Sequence, residues 1–566
     1  MSPHSPTRLY YAAEHLYRSD DRGDSWKRIS PDLTRQLDRN TLPVMGRVWS
    51  VDTVAKNDST SRYGSAIGLS ESPLQEGLIY VGTDDGLISV TEDGGATWRS
   101  TKGFRGVPDQ SYVDDVVASV HDANVAYAVV DNHKRGDYQP YVLKSSNRGK
   151  SWKRIDGNLP PRGYAHTIAE DHGDPNLLFV GTEYGVYFTQ NGGADWAKLE
   201  GLPTIAVRDL EIQRREHDLV IGTFGRGIWI LDDYRPLRSS LRELKANAAT
   251  LFPVRDAWIY VEDDFYDRRP RGSRGQNFWT AENPPTGALF RYHLKEEIQS
   301  ASKARRTADI ALEKAGKDTP YPSWDSLRAE DQEEAPSVLL IVRDAQGQIV
   351  RRIPAKGAAG LQEVAWDLRY PPVEPINLNP DPNPPYWVSP PMGPLALPGP
   401  YSAELVLRRQ GQIQPLAGPQ SFELKIYERS PEISKDLQSV LTFQLQAGAL
   451  YRQVGGAATQ LAELQPRIQA LREALRQTPL EIEALRKRLN TLVATRDGLS
   501  IQLLGDSTVS SRNESAPWSL QQRISWVYLN TLETQSAIPA GYRSSLAVAQ
   551  AQWAGLEPEL ALLLRD

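Results

Sequence analysis

The 566-residue chain has no cysteine, which excludes disulfide frameworks, thiolate metal sites and cysteine nucleophiles. The compartment stays open, because exported chains also lack the residue. Histidine is scarce, with eight copies. No H-E-x-x-H pair, phosphate loop of the G-x-x-x-x-G-K-S/T kind or G-x-S-x-G elbow occurs, so the sequence offers neither a catalytic metal nor a nucleotide or other cofactor site. Long apolar runs are missing: nothing approaches the ~18 residues of a membrane span, and the first residues lack the basic start and apolar stretch of a signal peptide. A dominant charge is missing as well. Lys plus Arg total 65 against 71 Asp plus Glu, a net charge of −6, which provides no basic field for nucleic acid.

What the first 240 residues do have is repetition. The pattern S/T-x-D/N-x-G-x-x-W occurs at Ser19, Asp21, Gly23, Trp26, at Thr91, Asp93, Gly95, Trp98, at Ser145, Asn147, Gly149, Trp152, and at Thr189, Asn191, Gly193, Trp196. Asp or Asn accepts backbone N–H bonds within its own turn, Gly supplies a positive φ, and the hydroxyl gives a second local acceptor. The Trp opens the next strand and offers a large ring for burial between sheets. Strand-like runs such as Leu78–Thr83 and Leu87–Val90 precede the second turn, and Leu177–Thr182 with Val186–Phe188 precede the fourth. A last unit at 206–237 has the strands without the turn. The cadence predicts four-stranded units.

These residues resemble the Asp-box, or BNR, repeats of β-propellers. The bacterial sortilin/Vps10-like family, often labelled glycosyl hydrolase, is similar at Glu71–Leu74, at Gly82–Gly86 and at Gly222–Asp233. The resemblance implies a propeller of which about four to five blades lie at 1–240, and an extracellular or periplasmic setting for the full-length protein. Because 9–17 supplies only the last strands of a blade, the expectation is that Met1 is not the natural start. Missing blades then lie upstream or on another chain; a complete four- or five-bladed ring is the competing reading.

Beyond a charged connector at 241–274, short strands at 275–430 predict an immunoglobulin-like β-sandwich, interrupted by a helical insert at 296–334 and a proline-rich loop at 371–400 that holds 12 of the 40 prolines. Residues 431–566 read as a helical bundle. Leu461, Leu464, Ile468, Leu471 and Leu475 keep heptad spacing, as do Ile482, Leu485, Leu489 and Leu492, with Pro479 marking a helix start and Pro466 a kink. The fold class is thus mainly β with a helical C-terminal part.

The Asp-box carboxylates are consumed by their turns. In the usual blade order they join strands three and four, and the hairpins between strands two and three project from the opposite face. That face presents Asp84 and Asp85, then Asp131, His133, Lys134 and Arg135, then Glu183 and Tyr184, then Phe224 and Arg226. A glycosidase needs two carboxyl groups, one kept protonated; Asp84 or Asp85 with Glu183 is the pair to nominate, although both segments also suit hairpin turns. Asp131, His133, Arg135, Tyr184, Phe224 and Arg226 form the ligand-binding set. The expectation is a non-catalytic binding or scaffold protein whose propeller face takes a glycan or peptide. The alternative is a glycoside hydrolase using paired carboxylates.

Overall fold

The computed structural model describes residues 1–58, 63–239, 241–260, 285–376, 380–385, 390–427 and 433–565. The charged run at 262–274 lies outside them. The chain divides into two units, Met1–Glu243 and Leu244–Asp566.

The first unit is mainly β and is built as propeller blades. Its five antiparallel sheets follow chain order. The first holds β1 (Leu9–Ala12), β2 (Leu16–Ser19) and β3 (Lys27–Arg28); the second holds β4 (Ala66–Glu71), β5 (Ile79–Thr83), β6 (Leu87–Thr91) and β7 (Arg99–Lys102). The third comprises β8 (Tyr112–Ala118), β9 (Ala126–Asn132), β10 (Asp137–Ser145) and β11 (Lys153–Arg154). The fourth comprises β12 (Ala165–Glu170), β13 (Leu178–Thr182), β14 (Gly185–Thr189) and β15 (Ala197–Lys198), and the fifth β16 (Val207–Gln213), β17 (Asp218–Thr223) and β18 (Ile228–Leu231). The inner strands β4, β8, β12 and β16 neighbour one another in that order.

Strand alternation assigns each sheet two cores. On β5, Ile79 and Val81 pack with Leu16 of the first sheet and Leu33 just beyond it, whereas Tyr80 packs with Val113, Ala128 and Val130 of the third. Wholly apolar strands follow from this two-sided burial, and each such side chain contributes ~1.5–3 kcal/mol. The same division recurs at β13, where Leu178 and Val180 face the third sheet and Phe179 faces Leu210 and Ile221 of the fifth.

The four repeat turns share one geometry. The hydroxyls of Ser19, Thr91, Ser145 and Thr189 accept the N–H of the turn glycine at 2.8 to 3.1 Å. The Asp or Asn Oδ1 accepts the N–H of Ser25, Thr97, Ser151 or Asp195 at 2.9 Å. Hydrogen bonds from Ser25 and Thr97 hold the Asp21 and Asp93 carboxyls down at about 2. Gly193 has φ +96°, and a Cβ there would lie 2.6 Å from the Ile155 carbonyl oxygen, so this position demands glycine twice over. The Trp then ties blades together: Trp98 Nε1–H donates to Ile29 O at 3.0 Å and Trp196 Nε1–H to Ile155 O at 2.9 Å, each in the preceding sheet. Trp26, 45% exposed, donates instead to its own Gly23 O.

A second regularity has no counterpart in the repeat pattern. The pairing of each inner strand with its neighbour skips a residue at the same place, between Ala66 and Gly68, Val113 and Asp115, Ala165 and Thr167, and Val207 and Asp209. The extra residues at these β-bulges are Ile67, Asp114, His166 and Arg208. A bulge leaves its extra residue unpaired and re-aims that side chain.

In the second unit, one sheet of β19 (Ala249–Leu251), β21 (Ala288–Leu294) and β24 (Gly360–Trp366) shares a core with another of β20 (Ala257–Ile259), β26 (Gln412–Ile426), β25 (Gly399–Arg409), β22 (Ser337–Asp344) and β23 (Ile349–Ala355). Helices α1 (Ala301–Lys314) and α2 (Trp324–Gln332) fall in the segment read as a helical insert. The helices α3 (Leu437–Gln477), α4 (Glu483–Leu504), α5 (Leu520–Thr531) and α6 (Ala540–Leu563) surround a further core. The heptad stripe is only partly internal: Leu461, Ile468 and Leu489 are buried, while Leu471 and Leu485 are exposed. Pro466 lies within the single helix α3, and α4 begins at Glu483, four residues past Pro479. No helix among the described residues is long and apolar enough to cross a membrane.

Candidate active site

The hairpins between the second and third strands of the sheets, together with the bulges, place polar and aromatic side chains around a cavity of about 680 Å³. Asp84, Asp131, Lys134, Arg135, Tyr63, Tyr112 and the bulge residue Ile67 line it. Asp84 Oδ1 accepts the N–H groups of Gly64 at 3.0 Å and Ser65 at 2.7 Å. Burial nevertheless raises its pKa, the two N–H bonds opposing and the Asp85 charge adding to the rise. Asp131 is buried, and both its oxygens are held by one neighbour: Oδ1 accepts the His133 N–H at 2.7 Å, and Oδ2 makes a short contact with His133 Nδ1. The His133 ring stacks on Tyr164 at 4.4 Å and 11°.

Asp85 serves the hairpin instead. It is fully buried, accepting from Thr83 Oγ1 at 2.6 Å and from the Arg35 N–H at 2.7 Å. Glu183 faces a different assembly, which joins three consecutive bulges. The buried His166 ring lies with Nε2 3.0 Å from Glu183 Oε2, and with Nδ1 3.0 Å from Asp114 Oδ2 and 3.1 Å from Arg208 Nη1. The Tyr164 hydroxyl also bonds Glu183, and burial pushes that phenol up to about 12. Tyr184 is 48% and Phe224 68% exposed; the Arg208 guanidinium lies 5.6 Å from the Phe224 ring centre, and Arg226 is exposed.

Of the nominated catalytic carboxylates, then, Asp84 lines the cavity, where it meets Asp131 of the ligand-binding set, whereas Asp85 is spent on its turn and Glu183 is engaged by His166. The sequence reading did not nominate Asp114, Tyr164, His166, Arg208, Tyr63 or Tyr112. No residue spacing announces a bulge, which is a property of strand pairing. Among the described residues no group of His, Asp and Glu is arranged to hold a metal ion.

No family model matches the chain. Its curated relatives are xyloglucanases. Xyloglucanase Xgh74A of Acetivibrio thermocellus is 26% identical over 149 residues, 24% of this chain and 18% of that protein. A Paenibacillus xyloglucanase is 24% identical over 161 residues, covering 26% of this chain and 16% of its own length. The matched stretch thus spans under a fifth of either relative. Among solved structures, an ancestral GH74 enzyme aligns over 39% of this chain and 26% of that chain, with 16% identity and a TM-score of 0.30. YCF48 bound to D1 peptide aligns over 28% of this chain and 47% of that one, with 19% identity and a TM-score of 0.22. The matches to enzymes overturn the expectation of a non-catalytic binding or scaffold protein and favour its alternative, the glycoside hydrolase.

Proposed function

We propose that the chain is a glycoside hydrolase that cleaves a polysaccharide in the cavity of the first unit. The observation that carries this reading is the meeting of two carboxyl groups, Asp84 and Asp131, on one cavity beside Tyr63 and Tyr112. Glycosidic cleavage needs one carboxyl group that keeps a proton for the leaving oxygen and another that stays ionised. Asp84 suits the acid, because burial favours its neutral form. Asp131 suits the base or nucleophile, because the His133 N–H and imidazole fix both oxygens. Tyrosine rings offer apolar faces to the C–H faces of sugars and hydroxyls to their polar edges. The same reading takes the four turns as Asp boxes of BNR type, the two-sheet body as immunoglobulin-like, the α3–α6 assembly as a helical bundle, and the working location as outside the cytoplasm, where polysaccharide is met. The exposed Trp26 of the first sheet and the exposed Ile228 and Ile230 of the last support further blades beside them.

Xyloglucan, the substrate named for the relatives, is the first to test. Reducing ends released by the full chain are measured for the wild type and for Asp84→Asn and Asp131→Asn. Each variant is expected to lose at least ~10²-fold in kcat with KM little changed. Full activity in both variants would remove the assignment.

A further inference from the structure

We propose that the cavity takes a sugar bearing a carboxylate, so that the substrate of the hydrolase proposed above is a polysaccharide containing uronic acid. The inference rests on that reading for the cleavage step but not for binding.

The charges around the cavity motivate it. Lys134 and Arg135 both line the cavity, and neither has a carboxylate partner among the described residues. Lys134 Nζ lies over the Tyr112 ring, 4.6 Å from its centre. Arg135 donates to two neutral acceptors, the Asp109 carbonyl at 2.8 Å and Gln110 Oε1 at 3.2 Å. Those bonds orient the guanidinium without neutralising it. The adjacent carboxylate of Asp109 is engaged by Arg35 at 2.6 Å.

Opposite these cations stand only the two carboxyl groups of the proposed chemistry. General acid catalysis requires one of them to be protonated when substrate is bound, which leaves the lining two cations and one anion. Lys134 and Arg135 are exposed at the cavity, and a neutral sugar offers them no counter-charge. A uronate supplies one. One more group points the same way: the Tyr63 hydroxyl, on the same lining, is buried and has no hydrogen-bond partner. A phenol O–H is a donor that a carboxylate oxygen satisfies. Two cations and an unsatisfied donor, on a lining whose only carboxyl groups are Asp84 and Asp131, describe a carboxylate pocket more closely than a pocket for neutral hydroxyls.

Calorimetric titration of the full chain tests this with tetragalacturonate, a glucuronate-substituted xylotetraose, neutral cellotetraose and a sulfated oligosaccharide of similar length. At least one uronate ligand is expected to bind ~10-fold or more tightly than cellotetraose, and to weaken as salt rises from 0.05 to 0.5 M, as a charge contact at a cavity mouth does. Lys134→Gln and Arg135→Gln, which leave Asp84 and Asp131 in place, should each lower that affinity by ~10-fold and lower cellotetraose binding by much less. Tetragalacturonate and the glucuronate ligand both binding no better than cellotetraose would overturn the proposal. So would uronate affinity that survives both substitutions. Equal binding of the sulfated ligand would replace uronate recognition by general anion binding and also overturn it. Selective uronate binding without hydrolysis of any glycan would instead refute the hydrolase reading and leave the ligand class standing.

Discussion

Asp115→Asn is expected to stabilise the first unit at pH 8 and to leave its stability unchanged at pH 4. Asp115 lies on the inner strand β8, where its Oδ2 accepts from Thr167 Oγ1 at 2.9 Å and from the Ile168 N–H at 3.2 Å. Burial pushes its carboxyl up to about 6 against those two bonds, with the Asp114 and Asp209 charges adding to the rise. An unfolded Asp titrates near ~3.9. The folded protein therefore holds this proton more tightly than the unfolded chain. The associated stability is fully present below ~4 and is lost as pH rises through about 6, above which the fold carries an ionised and poorly solvated carboxylate. A displacement of about two on the pH scale, at ~1.4 kcal/mol for each, amounts to ~3 kcal/mol. Asp115 is only partly buried, and its carboxyl opens onto a cavity of about 410 Å³; water there reduces the figure to ~2 kcal/mol. Asparagine retains an Oδ1 for both donors and removes the charge. Calorimetry of the full chain at pH 4, 6 and 8 should show a gain that grows from near zero to ~2 kcal/mol, or roughly 4–8 °C for a unit of this size. A variant that is no more stable than the wild type at pH 8, or that gains equally at pH 4, would refute the burial argument.

Trp196→Ala should cost ~3–5 kcal/mol, because a buried ring and a blade-to-blade hydrogen bond disappear together. Trp26→Ala should cost ~1 kcal/mol, since that half-exposed ring bonds only its own turn; urea unfolding of the two variants measures the contrast. The stacked rings of His172 and His217, 4.8 Å apart, both have their pKa lowered, chiefly by burial and, at His217, by Arg235 and Arg238. Groups depressed in this way take up protons on unfolding, so stability present above ~6.5 is lost as pH falls from there through their lower folded values. His217→Gln should flatten the fall in melting temperature between pH 7 and pH 5.

The parts of the fold that could be read in the sequence are those governed by local rules. Residues 78–83 announce β5 because both faces of a blade are buried, and residues 288–294 announce β21, whose alternate side chains are buried. The repeat turns could be read because the hydrogen bonds of their hydroxyl and Asp or Asn side chains close within the turn itself. The helices were harder. A heptad stripe predicts a buried seam, yet Leu471 and Leu485 face solvent, because the helices share their core over only part of their length. Asp84, Asp131 and the tips at 133–135 were visible as hairpin residues. Their grouping on one cavity was not, since it depends on how adjacent sheets are set against each other. His166 was least visible of all: it lies within a strand, and only the bulge turns it toward Glu183 and Asp114.

The bulges explain how a repetitive scaffold carries a non-repetitive site. In four successive sheets the inner strand adds its extra residue at the same step of the ladder, so the surrounding apolar positions keep their register and both cores of each sheet survive. The bulged position itself is released from that constraint. It holds isoleucine, aspartate, histidine and arginine in turn, and the last three meet at a single imidazole ring. The repeat turns, which lead into the outermost strand of each of the first four sheets, are the reverse case. There the hydroxyl and the Asp or Asn of the motif are committed to the backbone or to a neighbouring turn residue, and the glycine holds a positive φ. Chemistry can therefore vary at the bulges and hairpin tips without loss of packing, whereas variation at the turns would loosen the joints between blades. That asymmetry favours the hairpin face for the proposed site even though the most conspicuous carboxylates in the sequence belong to the turns.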